Sequence, residues 1–232
     1  MPLRGEPTPM TAETPPLALD IDGTLTDGDG RLDPRTFEYL PGWDAPIVLA
    51  TGKAFPYPVS LCHYLGIDLT VIAENGGVVL ADGTVSYQGD PERAADAVAA
   101  FEGRGGDLGW PAFDAVNEWR ETEIAANVAA DLELLESVAG EFDLEVFDTG
   151  YAYHVKTPGV EKGVGLRAVA DTLGLDPGSF VAVGDSVNDV SMFEVAGRSF
   201  AVANADDDAR TAADTVLEGS YFDGTASVLD SL

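Results

Sequence analysis

Five residues near the start of the chain, Asp20-Ile21-Asp22-Gly23-Thr24, restrict the fold more than any other stretch. The apolar run Pro16-Leu17-Ala18-Leu19 before them suits a strand buried on both faces of a parallel sheet. Leu25-Thr26-Asp27-Gly28-Asp29-Gly30 after them is turn chemistry. Two carboxylates two positions apart therefore stand where a strand meets a loop, the edge at which open α/β sheets bind ligands. Acids so close repel each other unless one keeps its proton or a cation lies between them. A hard divalent ion such as Mg²⁺, which takes oxygen ligands, resolves the conflict. A solvated turn at a strand end would carry the same Asp-x-Asp, so the pattern gains meaning only from partners elsewhere in the chain.

The remaining sequence alternates short apolar runs with helical patterns. Strands are expected at 47–50, 71–73, 180–183 and 200–202, with helices at 33–40, 59–65, 162–173 and 191–196. That alternation predicts an α/β protein with a doubly wound parallel sheet. Runs at 78–80 and 84–87 around Asp82-Gly83 predict a hairpin. From about Asp90 the texture changes. An Ala-rich helix over 91–101 is followed by a Gly-rich loop holding Trp110 and Trp119. Then come a strand at 123–126, a helix at 129–139, and strands at 144–147 and 151–155. The expected organisation is a tail over 1–15, a core over 16–80 and 155–232, and a smaller α+β domain inserted over 81–154. Trp110, Phe113, Trp119 and Tyr151 are expected in the core of that insertion, and Cys62 and His63 receive no role.

Charge narrows the partners. The chain has 41 acidic and 12 basic residues, a formal charge of −29 and a pI near 4.1. Nucleic acid and anionic membrane surfaces would be repelled. The acids are spread along the chain, and there are only three lysines. Such a coat is similar to that of proteins from salt-loving archaea, where molar salt cuts the screening length to about 3 Å. A single cysteine excludes an intrachain disulfide and fits a reducing cytosol. No apolar run approaches the roughly 20 residues of a membrane helix, and 1–16 lacks the apolar stretch of a signal peptide. A cytoplasmic monomer or homodimer is expected.

Three core strands end in polar signatures: Asp20 to Thr24, Thr51-Gly52-Lys53, and Gly184-Asp185-Ser186-Val187-Asn188-Asp189. Lys162 opens a helix. Asp185 and Asp189 with Asp20 and Asp22 make an all-oxygen set suited to Mg²⁺. Acids that merely cap a helix N-terminus are the plain alternative for Asp185 and Asp189. A phosphate dianion beside so many acids needs a cation, and Lys162 is the candidate. Thr51 offers a hydroxyl and a backbone N–H to a phosphoryl oxygen. Lys53 and Lys156 keep the ordinary reading of solvated surface lysines. An EF-hand starting at Asp27 fails, because Arg31 and Leu32 occupy positions that need an oxygen ligand and a glycine.

In this order, the four signatures resemble the motifs of the haloacid dehalogenase superfamily of phosphohydrolases. The insertion between the second and third resembles that family's type-II cap, and Glu74-Asn75-Gly76-Gly77 resembles the segment leading into it. Asp148-Thr149-Gly150-Tyr151-Ala152-Tyr153-His154-Val155-Lys156, running on to Glu161-Lys162-Gly163, is similar to archaeal phosphoglycolate phosphatases. The resemblance implies that Asp20 is a nucleophile that becomes phosphorylated, and that Asp22 is the acid and then the base. It implies Mg²⁺ at Asp20, the Asp22 backbone carbonyl, Asp185 and Asp189. It places Thr51, Gly52, Lys162 and Asn188 on the phosphoryl group. The implied reaction is Mg²⁺-dependent hydrolysis of 2-phosphoglycolate. A sugar-phosphate phosphatase or phosphohexomutase with the same core, and a non-catalytic acidic cation-binding protein, are the alternatives. Lys53 departs from the family, where Arg or Asn is frequent. His154 either touches a substrate carboxylate or packs on an apolar strand, the commoner state of a lone histidine.

The charge yields a first expectation. Transfer from molar to millimolar KCl should lower the melting temperature, because the acids then repel unscreened. An unchanged melting temperature in a calorimetric salt series would remove the halophilic reading.

Overall fold

The computed structural model describes residues 14–111 and 116–232. Most of the tail expected over 1–15, and Phe113, lie outside the described residues. The first part of the chain forms β1 (Leu17–Asp20), α1 (Thr36–Tyr39), β2 (Ile47–Ala50), α2 (Pro56–Leu65), β3 (Val71–Ala73), β4 (Val78–Ala81) and β5 (Thr84–Tyr87). The middle forms α3 (Pro91–Gly103), β6 (Glu123–Asn127), α4 (Leu132–Glu141), β7 (Glu145–Asp148) and β8 (Ala152–Lys156). The last part forms α5 (Lys162–Leu173), β9 (Val181–Gly184), α6 (Val190–Val195), β10 (Arg198–Ala201), α7 (Asp207–Ala212), β11 (Thr215–Val216) and α8 (Tyr221–Leu229).

One sheet runs β11-β10-β9-β1-β2-β3-β4-β5. It is parallel from β11 to β3, and an antiparallel hairpin closes the β5 edge. The doubly wound reading therefore holds for six strands, with antiparallel pairing added at one edge. Strand alternation divides the apolar side chains between two layers. Leu17, Leu19 and Leu49 face Cys62 and Leu65 of α2 and Phe222 and Leu229 of α8. Ala18, Val48, Ala50 and Ala182 face Leu166 and Val169 of α5 and Met192 of α6. Helices thus cover both faces, as runs of fully buried strand residues require.

Several boundaries differ from those expected. The hairpin β4–β5 belongs to the large sheet, because Val78 pairs with Ala73 and Tyr87 with Val78. The large sheet therefore extends past residue 80, and β8 of the smaller sheet runs to Lys156 rather than ending at 154. The helix expected over 33–40 shrinks to four residues. The Asp33 carboxylate there accepts from the backbone and side chain of Arg35, which makes a turn out of the first half. Helix α2 starts three residues early because Pro56 suits the first helical turn.

The middle segment has a separate antiparallel sheet, β6-β8-β7. Phe101 of α3, Ala126 of β6, Leu135 and Val138 of α4, and Val155 of β8 form its core. Trp119 and Tyr151 do not join it: they are 46% and 74% exposed. Phe101, by contrast, has no exposed surface. Truncating Phe101 to Ala should cost about 3–5 kcal/mol, read as a lower melting temperature and early loss of the middle unit in hydrogen exchange. A loss below about 1 kcal/mol would mean that this unit does not depend on its aromatic centre.

Candidate active site

Strand β1 lies between β2 and β9, and the chain leaves these strands toward opposite ends of the sheet. This is a topological switch point, where the carboxyl ends of neighbouring strands open a crevice. Asp20 ends β1, Thr51 follows β2, and Asp185 follows β9. Three of the four expected signatures therefore meet because of strand order alone.

The fourth arrives on α5. Asp20 follows Ala18 in alternation and so faces the layer that α5 covers. Lys162 is the first residue of α5 and is fully buried. Its Nζ donates to Asp20 Oδ1 at 2.7 Å, Asp189 Oδ1 at 2.6 Å and Asn188 Oδ1 at 3.2 Å. Asp189 Oδ2 accepts from the backbone N–H groups of Asp185 and Ser186 at 2.9 and 3.1 Å. Asp189 thus shapes the loop that carries Asp185. Gly23 completes the fit: its φ is +83°, and a Cβ there would sit 1.9 Å from Asp185 Oδ2. Only glycine permits both that backbone and that approach.

Oxygens of Asp20, Asp185 and Asp189 lie within 4.8 Å of one another. Burial raises the Asp20 carboxyl well above the ordinary range; Lys162 opposes this, while Asp189 and Asp185 add to it. Burial raises Asp185 to about 7, with Asp189 adding to the shift and Lys162 opposing it. Burial would lower Lys162, but Asp189 and Asp20 outweigh it and raise the ammonium above its usual value. One ammonium does not balance three carboxylates, two of them buried and Asp185 half-buried. Among the described residues, the buried Asp20 Oδ2 has no hydrogen-bond partner. An under-neutralised carboxylate cluster fits a hard divalent cation, and an unpartnered oxygen within it is open to an incoming electrophile. Asp185 has an oxygen to spare for the ion, and Asp20 can offer Oδ1 beside Lys162. Both Asp189 oxygens already have partners, so Asp189 supports the site more than it ligates. The Asp22 side chain stands outside the cluster, half-exposed, 2.5 Å from Lys53 Nζ. Lys53 is exposed, as expected from the sequence, and its ammonium pairs with Asp22 at the surface.

A cavity of about 500 Å³ opens over this edge. Thr51 lines it, but one of its two expected donors is spent: its N–H bonds Ile72 O at 2.8 Å, because the ladder runs one residue past β2. Its hydroxyl oxygen accepts from the Lys53 N–H at 3.1 Å, which leaves the O–H free to donate. Gly52 and Asn188 also line the cavity. Lys156 is buried rather than solvated, bonded to Glu145 Oε1 at 2.5 Å and Val160 O at 2.9 Å.

Sequence reading missed the residues that join the two sheets. Glu74 and Asn75 have φ of 52° and 51°, a left-handed pair that costs about 1–2 kcal/mol per non-glycine residue. That conformation lets the Glu74 carboxylate accept from the N–H groups of Glu121 and Thr122 and from the Thr122 hydroxyl. Asn75 accepts from Asn188 Nδ2 at 3.0 Å and donates to Glu123 at 3.1 Å. Glu123 in turn pairs with Arg120 and with His154 Nδ1, the latter at 2.9 Å. Asn204 donates to the Gly23 carbonyl at 3.0 Å and fixes the other side of the carboxylate cluster. Only the Glu74-Asn75-Gly76-Gly77 string offered a signal, as an entry into an insertion.

A model of the haloacid dehalogenase-like hydrolase family matches residues 17–105 and 122–229. The chain is 64% identical over 220 residues to a Halorubrum lacusprofundi protein named phosphoglycolate phosphatase, covering 94% of this chain and 97% of the relative. It is 35% identical to a protein of the same name from Methanococcoides burtonii, covering 92% and 94%. The crystal structure of Thermoplasma acidophilum 0175 superposes with a TM-score of 0.78 at 25% identity, over 94% of this chain and 97% of that one.

The charge imbalance yields a signed expectation. Asp185 titrates near 3.8 when unfolded and near 7 when folded, so cation-free stability should fall as pH rises between those values. A divalent cation offsets the repulsion, so Mg²⁺ should raise the melting temperature more at pH 8 than at pH 5. Asp185→Asn should shrink the shift at pH 8. An equal shift in the variant, measured in molar KCl, would place the cation elsewhere.

Proposed function

The chain belongs to the haloacid dehalogenase-like hydrolases, and we propose that it hydrolyses 2-phosphoglycolate to glycolate and phosphate through an aspartyl-phosphate on Asp20. The observation that carries this reading is Asp20 Oδ2: a buried carboxylate oxygen without a partner at the floor of the cavity. Its sister oxygen is anchored by Lys162, which leaves Oδ2 to meet phosphorus. The relatives' names supply the substrate.

In this reading Asp20 Oδ2 attacks the phosphorus, and the bond to the glycolate oxygen breaks. The Asp22 carboxyl protonates the departing alkoxide, then takes a proton from the water that attacks the phosphoryl group and frees Asp20. The Thr51 hydroxyl, Gly52 and Asn188 hold the phosphoryl oxygens, and Lys162 joins them by exchanging its longest contact, Asn188 Oδ1 at 3.2 Å, for one of them; charge must be offset there for an anion to approach a carboxylate. Asp20 Oδ1, Asp185 and the Asp22 carbonyl would hold Mg²⁺, with Asp189 behind them, and the ion would supply charge neutralisation at the phosphoryl group. The inserted unit, expected over 81–154 and built from α3 to β8 (91–156), acts as the cap that keeps bulk water from the edge of the large sheet. No helix among the described residues is long and apolar enough to cross a membrane, and a small metabolite in the cytoplasm is the fitting partner.

Asp20→Asn should keep the fold, by circular dichroism, and abolish phosphate release from 2-phosphoglycolate with Mg²⁺ in high KCl. Turnover within about tenfold of the parent enzyme would refute the nucleophile, since removing such a group costs many orders of magnitude. Faster turnover of a hexose phosphate would move the assignment to the sugar-phosphate branch.

A further inference from the structure

The geometry points to a second anion site in the inserted unit, where Arg120 and His154, braced by Glu123, bind the carboxylate of a substrate whose phosphoryl group sits at Asp20 and Lys162. This inference rests on the phosphatase reading above and assigns the residues that select among phosphate monoesters.

Both ends open into one cavity: Asp20, Thr51 and Asp185 line it from the large sheet, and Arg120 and His154 line it from the insertion. The large-sheet side of the lining carries Asp20, Asp22 and Asp185, and the lysine there, Lys53, is paired with Asp22, so Arg120 and His154 are where a second negative charge is welcome. Glu123 is 1% exposed. Burial would raise its carboxyl, but His154 and Arg120 bring it down to about 2. One fixed carboxylate thus gathers an arginine and a histidine. Neither has spent its donors. Arg120 gives Nε–H to Val116 O, one N–H to Glu123 and one to Gly52 O at 2.9 Å. The other guanidinium N–H groups remain for an acceptor, and a carboxylate suits their planar fork. His154 uses Nδ1 on Glu123, while Nε2 has no partner among the described residues. A carboxylate meeting Nε2 needs an N–H there as well as the one Nδ1 gives Glu123, so the doubly protonated ring is the form that would bind.

Position supports the assignment. Arg120 falls in 106–121, the stretch outside the family match, whereas Asp20, Thr51, Lys162 and Asp185 fall inside it. Of the proposed site only Arg120 lies outside that match; Glu123 and His154 lie inside it. The two ends are also wired together: Asn75 bonds both Glu123 and Asn188, and Asn188 accepts from Lys162. A bracing role between the two sheets is the competing account, and it would affect all substrates alike.

The test compares 2-phosphoglycolate with ethyl phosphate, which lacks the carboxylate, in parent enzyme, His154→Gln and Arg120→Lys. A charge-assisted hydrogen bond implies that the kcat/KM ratio of the two substrates falls roughly ten- to a hundredfold in each variant, mostly through KM. In the parent enzyme, phosphonoacetate should inhibit at least about tenfold more tightly than ethylphosphonate, and His154→Gln should erase that margin. The inhibitor pair decides the matter if Arg120→Lys does not fold. A ratio that stays within about twofold while both substrates slow together makes the cluster a brace and overturns the anion site. If a different carboxylate-bearing phosphomonoester is the best substrate and loses its advantage in the variants, the anion site stands and 2-phosphoglycolate falls. If the parent enzyme has no preference for a carboxylate, both fall.

Discussion

Lys162 against Asp20 and Asp189 is the contact on which the rest of the molecule turns. A fully buried ammonium is costly to desolvate and persists only when buried carboxylates surround it. Here they do, and they also position the parts. The pair sets α5 against the end of β1, and Asp189 shapes the loop after β9 through two backbone N–H groups. Helix α5 can approach α6 only because position 163 is glycine: a Cβ there would lie 2.2 Å from Ser191 O. Close packing and charge pairing therefore specify the same geometry. The leftover negative charge is what makes the site receptive to a divalent ion, and through it to a phosphoryl group.

A second buried anion does comparable work at the junction of the two sheets. Glu74 binds the N–H groups of Glu121 and Thr122, and burial raises its carboxyl above the ordinary range although those hydrogen bonds oppose the rise. Its left-handed backbone, and that of Asn75, is strain held in place by these contacts. The same turn brings Asn75 between Asn188 and Glu123. A short strained segment thus joins the insertion to the large sheet and links Glu123 to Asn188 by hydrogen bonds.

Much of this was legible in the sequence, for a physical reason. Strands buried on both faces have no polar face to disguise them, so β1, β2, β3 and β9 stood out within a residue. The acids at their ends could not belong to a core, so they marked the edge. Asn75, Arg120 and Glu123 were not legible, because each acts through partners 48 or more positions away or inside an irregular stretch. Local chemistry misled in a few places. The Asp33–Arg35 turn shortened α1, the ladder consumed the Thr51 N–H, and Lys156 found partners that bury it. The aromatic residues Trp119 and Tyr151 read as core on hydrophobicity alone, yet they stand exposed near the cavity, where Trp119 meets Tyr57 edge-on.

The central claim is that the unpartnered oxygen of Asp20 takes the phosphoryl group. The most direct measurement is acid quench of the enzyme during turnover of 2-phosphoglycolate, followed by borohydride reduction and peptide mass spectrometry. The account predicts that residue 20 alone is recovered as homoserine, the reduction product of an acyl phosphate. Full turnover with residue 20 unmodified, or with the label on another residue, would contradict it.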